Sequence, residues 1–201
     1  MTIPAQMARV DEFITLLDRL LPEETKRHSI SVAEFLIPLA GPLGFDTERG
    51  VWAGLLHDMR KATPPDELLD LTRRYGLEVP QTWREKPKLL HGPVAAEECR
   101  RTLHIEDPGL HEAVYWHTTG RPGLGALGRA LYLADFAEPL RTHPEAGEAR
   151  ALLAEQGFDA ALRFAVSEKL RHVLTRPPVD SNTAAFHAWI HDGFQSSQGQ
   201  G

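Results

Sequence analysis

Apolar residues along this chain recur every three to four positions, with no sustained alternation and no hairpin signal, and that spacing predicts helices. Val10, Phe13, Ile14, Leu17 and Leu20/Leu21 line one face of a first helix, which Pro22 ends. A second helix runs from about His28 to Ala40 on Ile30, Val32, Ala33, Leu36 and Ile37; Pro38 is expected to kink or end it. "GPLGFD" is a turn, and Asp46 or Thr47 then caps a helix running into "VWAGLLHD". "TPPDELLDLTRRYG" has proline at its start and Gly76 at its end, the asymmetry of a helix. Leu77 to Leu90 is polar and irregular, a mobile-flap candidate. Pro93 opens the helix "VAAEECRRTL", and Asp107-Pro108 opens "GLHEAVYWH". After the loop "TTGRPGLG" comes a helix over "ALGRALYLADFAEPLR". Two more helices from about Glu145 to Thr175 break at Gly157, and Ser181 caps a last one to about His191. The chain is expected to be one all-α domain over 1–192, with 193–201 a frayed tail.

Composition narrows this picture modestly. The 201 residues are 42% apolar and 25% charged, as in ordinary globular proteins, and suffice for a core without disulfides. Cys99 is the single cysteine, so nothing points to an oxidising compartment. The N-terminus meets Asp11 and Glu12 before a long apolar run builds up, and reads as neither signal peptide nor spanning helix. A cytoplasmic protein is expected. The net charge of −6 disfavours nucleic acid and anionic membrane as partners. No Walker A loop or G-x-G-x-x-G is present.

Candidate chemistry lies where ionisable residues interrupt apolar helices. "AGLLHDMRK" ends in His57 and Asp58, and Asp135 sits among Leu131, Leu133, Ala134 and Phe136. His117 ends "AVYWH", while His28 and His91 stand at helix starts. Each has a plain alternative: a helix-end histidine bonding a carbonyl, or Asp135 paired with Arg129 or Arg141. Together, imidazole and carboxylate make the mixed donor set of a first-row transition metal, which would offset the burial cost of both aspartates. Adjacent helical positions point about 100° apart, so His57 and Asp58 could share one ion only near a helix end. Trp83, in the polar stretch, is the tryptophan that could meet a base; Cys99 and the remaining histidines read as packing or surface residues.

The order His28, His57-Asp58, Asp135, with His91 and His117 between, resembles the HD-domain metal-dependent phosphohydrolases. The phrases "KRHSISVAEFLIPLA", "AGLLHDMRK", "HGPVAAE", "WHTTGRPGLGALGRALYLADFAEPLR" and "PPVDSNTAAF" are similar to the YqeK family, over about residues 25 to 185. Members are symmetrical diadenosine tetraphosphate hydrolases, which release two ADP. The resemblance implies iron, one or two ions, held by His28, His57, Asp58 and Asp135, with His91 and His117 available to a second ion; Mn, Co, Zn or Mg could substitute. It implies nucleotide contacts from Asp58, Met59, Arg60 and Lys61, from His91, His117, Thr118, Asp135 and Arg141, and from Asp180, Ser181 and Asn182. His57, Asp58 and Lys61 would be catalytic, acting through metal-activated water, with Lys61 and Arg141 as the main phosphate-binding cations and Arg121 a further one. Many members carry arginine where this chain has Thr25, and an arginine before the asparagine of the late segment, where this chain has Ser181. A small dinucleoside polyphosphate is the expected partner, with a homodimer left open. The competing readings are an HD phosphohydrolase of nucleoside mono- or triphosphates, a di-iron oxygenase, and a non-catalytic nucleotide-binding module.

Overall fold

Side-chain caps open four of the α-helices in the computed structural model, which describes residues 3–4 and 7–192. Eleven α-helices and no strand occur among them: α1 (Val10–Leu20), α2 (Glu23–Leu43), α3 (Thr47–Leu56), α4 (Pro65–Tyr75), α5 (Gln81–Glu85), α6 (His91–Arg101), α7 (Pro108–Trp116), α8 (Ala126–Ala137), α9 (Pro144–Gln156), α10 (Phe158–Leu174) and α11 (Ser181–His191), with a 3-10 turn at Pro87–Leu90. The expected all-α architecture therefore holds. Asp46 accepts the Arg49 N–H and Asp107 that of Leu110, so both caps are where the sequence places them. Gly76 ends α4 at φ 69°, a left-handed conformation that glycine adopts without strain. The tail at 193–201 lies outside the described residues.

Several boundaries differ from expectation. α2 begins five residues earlier and runs straight through Pro38 and Pro42 to Leu43, so "GPL" is helical and not part of a turn. Both prolines are exposed, so the carbonyls they leave without a donor face water, while Leu36, Leu39 and Ala40 stay packed on the opposite side. Asp180, not Ser181, caps α11, accepting the Asn182 N–H. α8 stops at Ala137, because Pro139 disfavours helical backbone at Glu138. The segment 77–90 folds into α5 and the 3-10 turn: Trp83 is buried, packs against Tyr115 and Trp116, and donates to Asp180 Oδ2 at 2.6 Å. It is therefore packed against α4, α6 and α7 and tied to the start of α11, not a flap, and Trp83 is not a free platform for a base.

α8 is the axis of the packing. Its Leu127, Ala130, Leu131 and Ala134 join a core with α1, α2, α3, α6 and α7, while Tyr132, Leu133 and Ala137 join another with α9, α10 and α11. A helix apolar on nearly every side is a buried helix, and Arg129 and Asp135 are the charged interruptions on it. α2 and α3 pack most extensively on each other. A Cβ on Gly54 would lie 2.5 Å from Ala33 Cα and 2.6 Å from Ala33 N, so glycine is what lets α3 approach the α2 backbone and bring His57 towards His28. Gly54→Ala must push the helices apart. It should cost about 1–3 kcal/mol, read as a lower denaturation midpoint, and unchanged stability would contradict this close approach.

Candidate metal centre

Four histidines and two aspartates from five places in the chain converge here. His57 is the C-cap of α3, and Asp58 follows in the turn beyond it. His91 opens α6, His117 caps the end of α7, His28 lies on α2 and Asp135 on α8. The backbone fixes the tautomer of three of the histidines in the same way. His57 Nδ1 donates to the Gly54 carbonyl at 2.8 Å, His117 Nδ1 to that of Val114 at 2.7 Å, and His91 Nδ1 to that of Lys88. Each bond runs three residues back and leaves the Nε2 lone pair pointing inward. His28 is held differently, its Nδ1 lying 3.0 Å from the Glu138 carboxylate. A carboxylate or carbonyl behind an imidazole is the usual support of a metal-binding histidine.

Asp58 ties these groups together. Its Oδ2 lies 3.5 Å from His57 Nε2 and 3.8 Å from His28 Nε2. Its Oδ1 lies 2.9 Å from His91 Nε2 and 3.4 Å from His117 Nε2. Two triads share this residue, His28–His57–Asp58 and Asp58–His91–His117, each compact enough to surround one cation. Asp135 Oδ1 adjoins the first triad, 3.2 Å from His28 Nε2 and 4.0 Å from His57 Nε2.

A divalent cation resolves three strains in this arrangement. His57 Nε2 is fully buried and has no hydrogen-bond partner, a condition that costs about 1–3 kcal/mol. The Nε2 atoms of His91 and His117 face each other at 3.0 Å although both Nδ1 atoms already carry the proton. Two carboxylates, those of Asp58 and Asp135, lie within 4.0 Å of the same His57 Nε2 with little solvent. The donor set is imidazole and carboxylate, suited to first-row divalent ions. Thiolate plays no part: Cys99 is buried among core residues, and burial pushes its pKa up to about 12.

Charge around the cluster is unevenly divided. Burial pushes the His57 pKa down to about 3, so this ring stays neutral. Burial also lowers His28, but the Asp135 and Glu138 carboxylates outweigh it and raise its pKa to about 9. Burial works to raise Asp58, yet His57, His117 and His91 hold its carboxyl well below the ordinary range. Asp135 is likewise held low against its burial, by Lys169 and then by His28.

The expected site residues fall into two groups. Arg141 reaches the cluster, its Nη2 at 2.9 Å from Asp135 Oδ1 and 3.2 Å from His28 Nε2. Lys61 is half exposed, with Nζ 3.3 Å from Asp58 Oδ1. Thr118 Oγ1 is 3.0 Å from His117 Nε2. Three residues named from the sequence are occupied elsewhere. Arg60 forms a two-pronged pair with Glu98, because the turn after Asp58 sends it to the α6 side. The Met59 side chain is buried in the core. Asp180 spends one oxygen on the Asn182 N–H and the other on Trp83, so its carboxylate is a structural brace. Ser181 is exposed and Asn182 half-buried, both in the first turn of α11. Arg121 lies 3.7 Å from Glu112. Two residues escape a reading of the sequence: Glu138 behind His28, and Lys169, whose Nζ is 3.2 Å from Asp135 Oδ2. Glu138 stands three residues after Asp135 in "LADFAEPLR", a spacing that could have suggested it.

Two clefts adjoin the cluster through side chains that contact Asp135. One of about 440 Å³ is lined by Thr118, Phe136, Lys169, Val173 and Thr183. The other, of about 500 Å³, is lined by Arg27, His28, Glu138, Leu140 and Arg141. A pH dependence follows from His28. Its proton must leave before Nε2 can bind a metal, so metal affinity should climb roughly tenfold per pH unit from neutrality and level off near pH 9. Competition titrations with a metal chelator at several pH values read this directly, and a flat profile over that range would contradict it.

Comparison with known proteins agrees with the geometry. The HD domain family matches residues 25–160. The symmetrical bis(5'-nucleosyl)-tetraphosphatase of Bacillus subtilis is 28% identical over 184 residues, covering 91% of this chain and 98% of the relative. The protein of the same name from Staphylococcus aureus is 34% identical over 137 residues, covering 68% of this chain and 70% of its own. A crystal structure from Clostridium acetobutylicum, described as a predicted HD superfamily hydrolase involved in NAD metabolism, superposes with a TM-score of 0.84 at 28% identity, covering 90% of this chain and 95% of the other.

Proposed function

The chain belongs to the HD domain family and, within it, to the symmetrical bis(5'-nucleosyl)-tetraphosphatases, and from that premise we propose that it hydrolyses diadenosine tetraphosphate at its central anhydride to two ADP. The observation that carries this reading is the pair of clefts beside the metal centre: Lys169 from one and Arg141 from the other contact different oxygens of Asp135. A substrate with a nucleoside at each end can lay its polyphosphate across the centre and one arm in each cleft. His28, His57, Asp58 and Asp135 would hold a first ion, with Asp58 shared towards His91 and His117 for a second. A divalent ion bound there supplies a more acidic water and polarises a phosphoryl oxygen. We assign iron as the resident ion from the family resemblance, with Mn, Co, Zn or Mg as substitutes; the thiolate-free imidazole and carboxylate donors suit first-row divalent ions as a class.

The side chains divide the remaining work. Asp58 Oδ1, facing His91 and His117, is placed to orient the proton of an attacking water. Lys61 Nζ and the Arg141 guanidinium bring N–H donors to phosphoryl oxygens, and both are partly open to solvent. Thr118 adds a hydroxyl beside His117. The leaving group is a phosphate whose second pKa is about 6, so it departs as an anion at neutral pH and needs cations more than a proton donor. His57 has no free proton to give, since Nδ1 donates to Gly54 and Nε2 is bare; its part is to bind metal. We take 1–192 as one HD unit, because α10 and α11 pack on α8 beyond the matched segment. A cytoplasmic setting is our reading from the single free cysteine.

The test is product analysis on metal-loaded protein. Two ADP per diadenosine tetraphosphate is expected; ATP plus AMP overturns the central cleavage. Orthophosphate from ATP, with diadenosine tetraphosphate untouched, would favour the rival HD phosphohydrolase of nucleoside triphosphates. Asp58→Ala should lose bound metal and turnover together, each by about 100-fold or more. Full activity in that variant would remove Asp58 from the site.

A further inference from the structure

Lys169 is a cation beside the metal centre whose structural explanation is incomplete. It rises from α10, its Nζ 3.2 Å from Asp135 Oδ2 and 3.9 Å from the centre of the Tyr132 ring. Neutralising Asp135 does not by itself require it, because Arg141 already donates to the other oxygen at 2.9 Å. An ammonium has three N–H donors; Asp135 takes one and the face of Tyr132 a second. The side chain is 20% exposed and lines the 440 Å³ cleft with Thr118 and Thr183. The carboxylates lining that cleft, Glu145 and Glu168, are both engaged by Arg171, so neither competes for Lys169.

The charges around the centre point the same way. Once a metal has displaced the His28 proton, Asp58, Asp135 and Glu138 are matched by Lys61, Arg141 and Lys169, three carboxylates against three cations. Each divalent ion then adds two positive charges with no protein anion left to offset them. A polyphosphate bridge, with one negative charge on each phosphoryl group, offsets that surplus. Arg141 and Lys169 sit on opposite oxygens of Asp135 and open into different clefts, so a chain lying across Asp135 would pass between them.

We propose that Lys169 is a substrate-binding residue that grips a phosphoryl oxygen on the α10 side of the scissile anhydride, opposite Arg141, so that the polyphosphate is held on both sides of the bond that breaks. This rests on the polyphosphate-hydrolase reading above. The experiment compares metal-loaded wild type, Lys169→Met and Lys169→Arg by metal content, thermal midpoint, calorimetric affinity for inorganic tripolyphosphate, and steady-state kinetics on diadenosine tetraphosphate. Lys169→Met is expected to keep its metal, to weaken tripolyphosphate binding about tenfold or more, and to raise KM by a similar factor with a smaller change in kcat. Lys169→Arg should recover most of the affinity. Should Lys169→Met fold poorly, Lys169→Gln, polar and uncharged, gives the same comparison. Unchanged tripolyphosphate affinity in a metal-replete Met or Gln variant overturns the proposal. So does loss of metal from that variant, which would make Lys169 a support for Asp135 alone. Tripolyphosphate binding is read without turnover. A wild type that fails to split diadenosine tetraphosphate would therefore sink the functional reading, while the binding comparison would still decide the role of Lys169.

Discussion

Asp58 has two carboxylate oxygens, and each faces a different pair of histidines. Oδ2 faces His28 and His57; Oδ1 faces His91 and His117. The fold is arranged so that this meeting can happen. α3 must end where α2, α6, α7 and α8 all present a donor, and α3 reaches that point only because Gly54 allows it against the backbone of Ala33. The apolar residues Val51, Ala53, Leu55 and Leu56 seat α3 in the core, and the polar pair follows as the helix closes. Burying an imidazole nitrogen with no hydrogen-bond partner is costly with nothing to bind, since an unsatisfied buried polar atom forfeits its hydration. A cation accounts for the bare Nε2 of His57, the facing lone pairs of His91 and His117, and the two carboxylates beside His57 at once.

The supports behind the donors matter as much as the donors. Three histidines are held by backbone carbonyls three residues back, a device that needs no second side chain and fixes the ring as the helix folds. His28 depends on Glu138, which stands just beyond α8 and also accepts the Leu140 N–H at 2.6 Å. That carboxylate orients the ring and, with Asp135, holds its proton until a metal displaces it. Around this inner set, Arg141 and Lys169 bracket Asp135.

What is legible in the sequence is what is local in the chain. Helical periodicity, the caps at Asp46 and Asp107, and the glycine end of α4 all rest on residues within one or two turns of each other. The His and Asp order stands out because those residues interrupt apolar helices. What escapes depends on partners far along the chain. Arg60 reads as a phosphate cation in sequence, but Glu98, 38 residues on, takes it in the fold. Asp180 reads as a nucleotide contact, yet Trp83, 97 residues before it, claims an oxygen. Lys169 sits in an ordinary amphipathic helix and gains a role only when α10 packs against α8. The prolines of α2 mislead for a related reason: whether a missing N–H matters depends on which face of the helix meets water, and that is settled by packing.

The central claim is that these six side chains form one metal centre bridged by Asp58. Anomalous diffraction from metal-loaded crystals, recorded at the absorption edge of the bound metal, tests it most directly. An anomalous peak is expected at about 2.0–2.2 Å from His57 Nε2 and from an Asp58 oxygen, with His28 and Asp135 completing its shell. A loaded crystal whose metal lies elsewhere, with His57 Nε2 still bare, would contradict it.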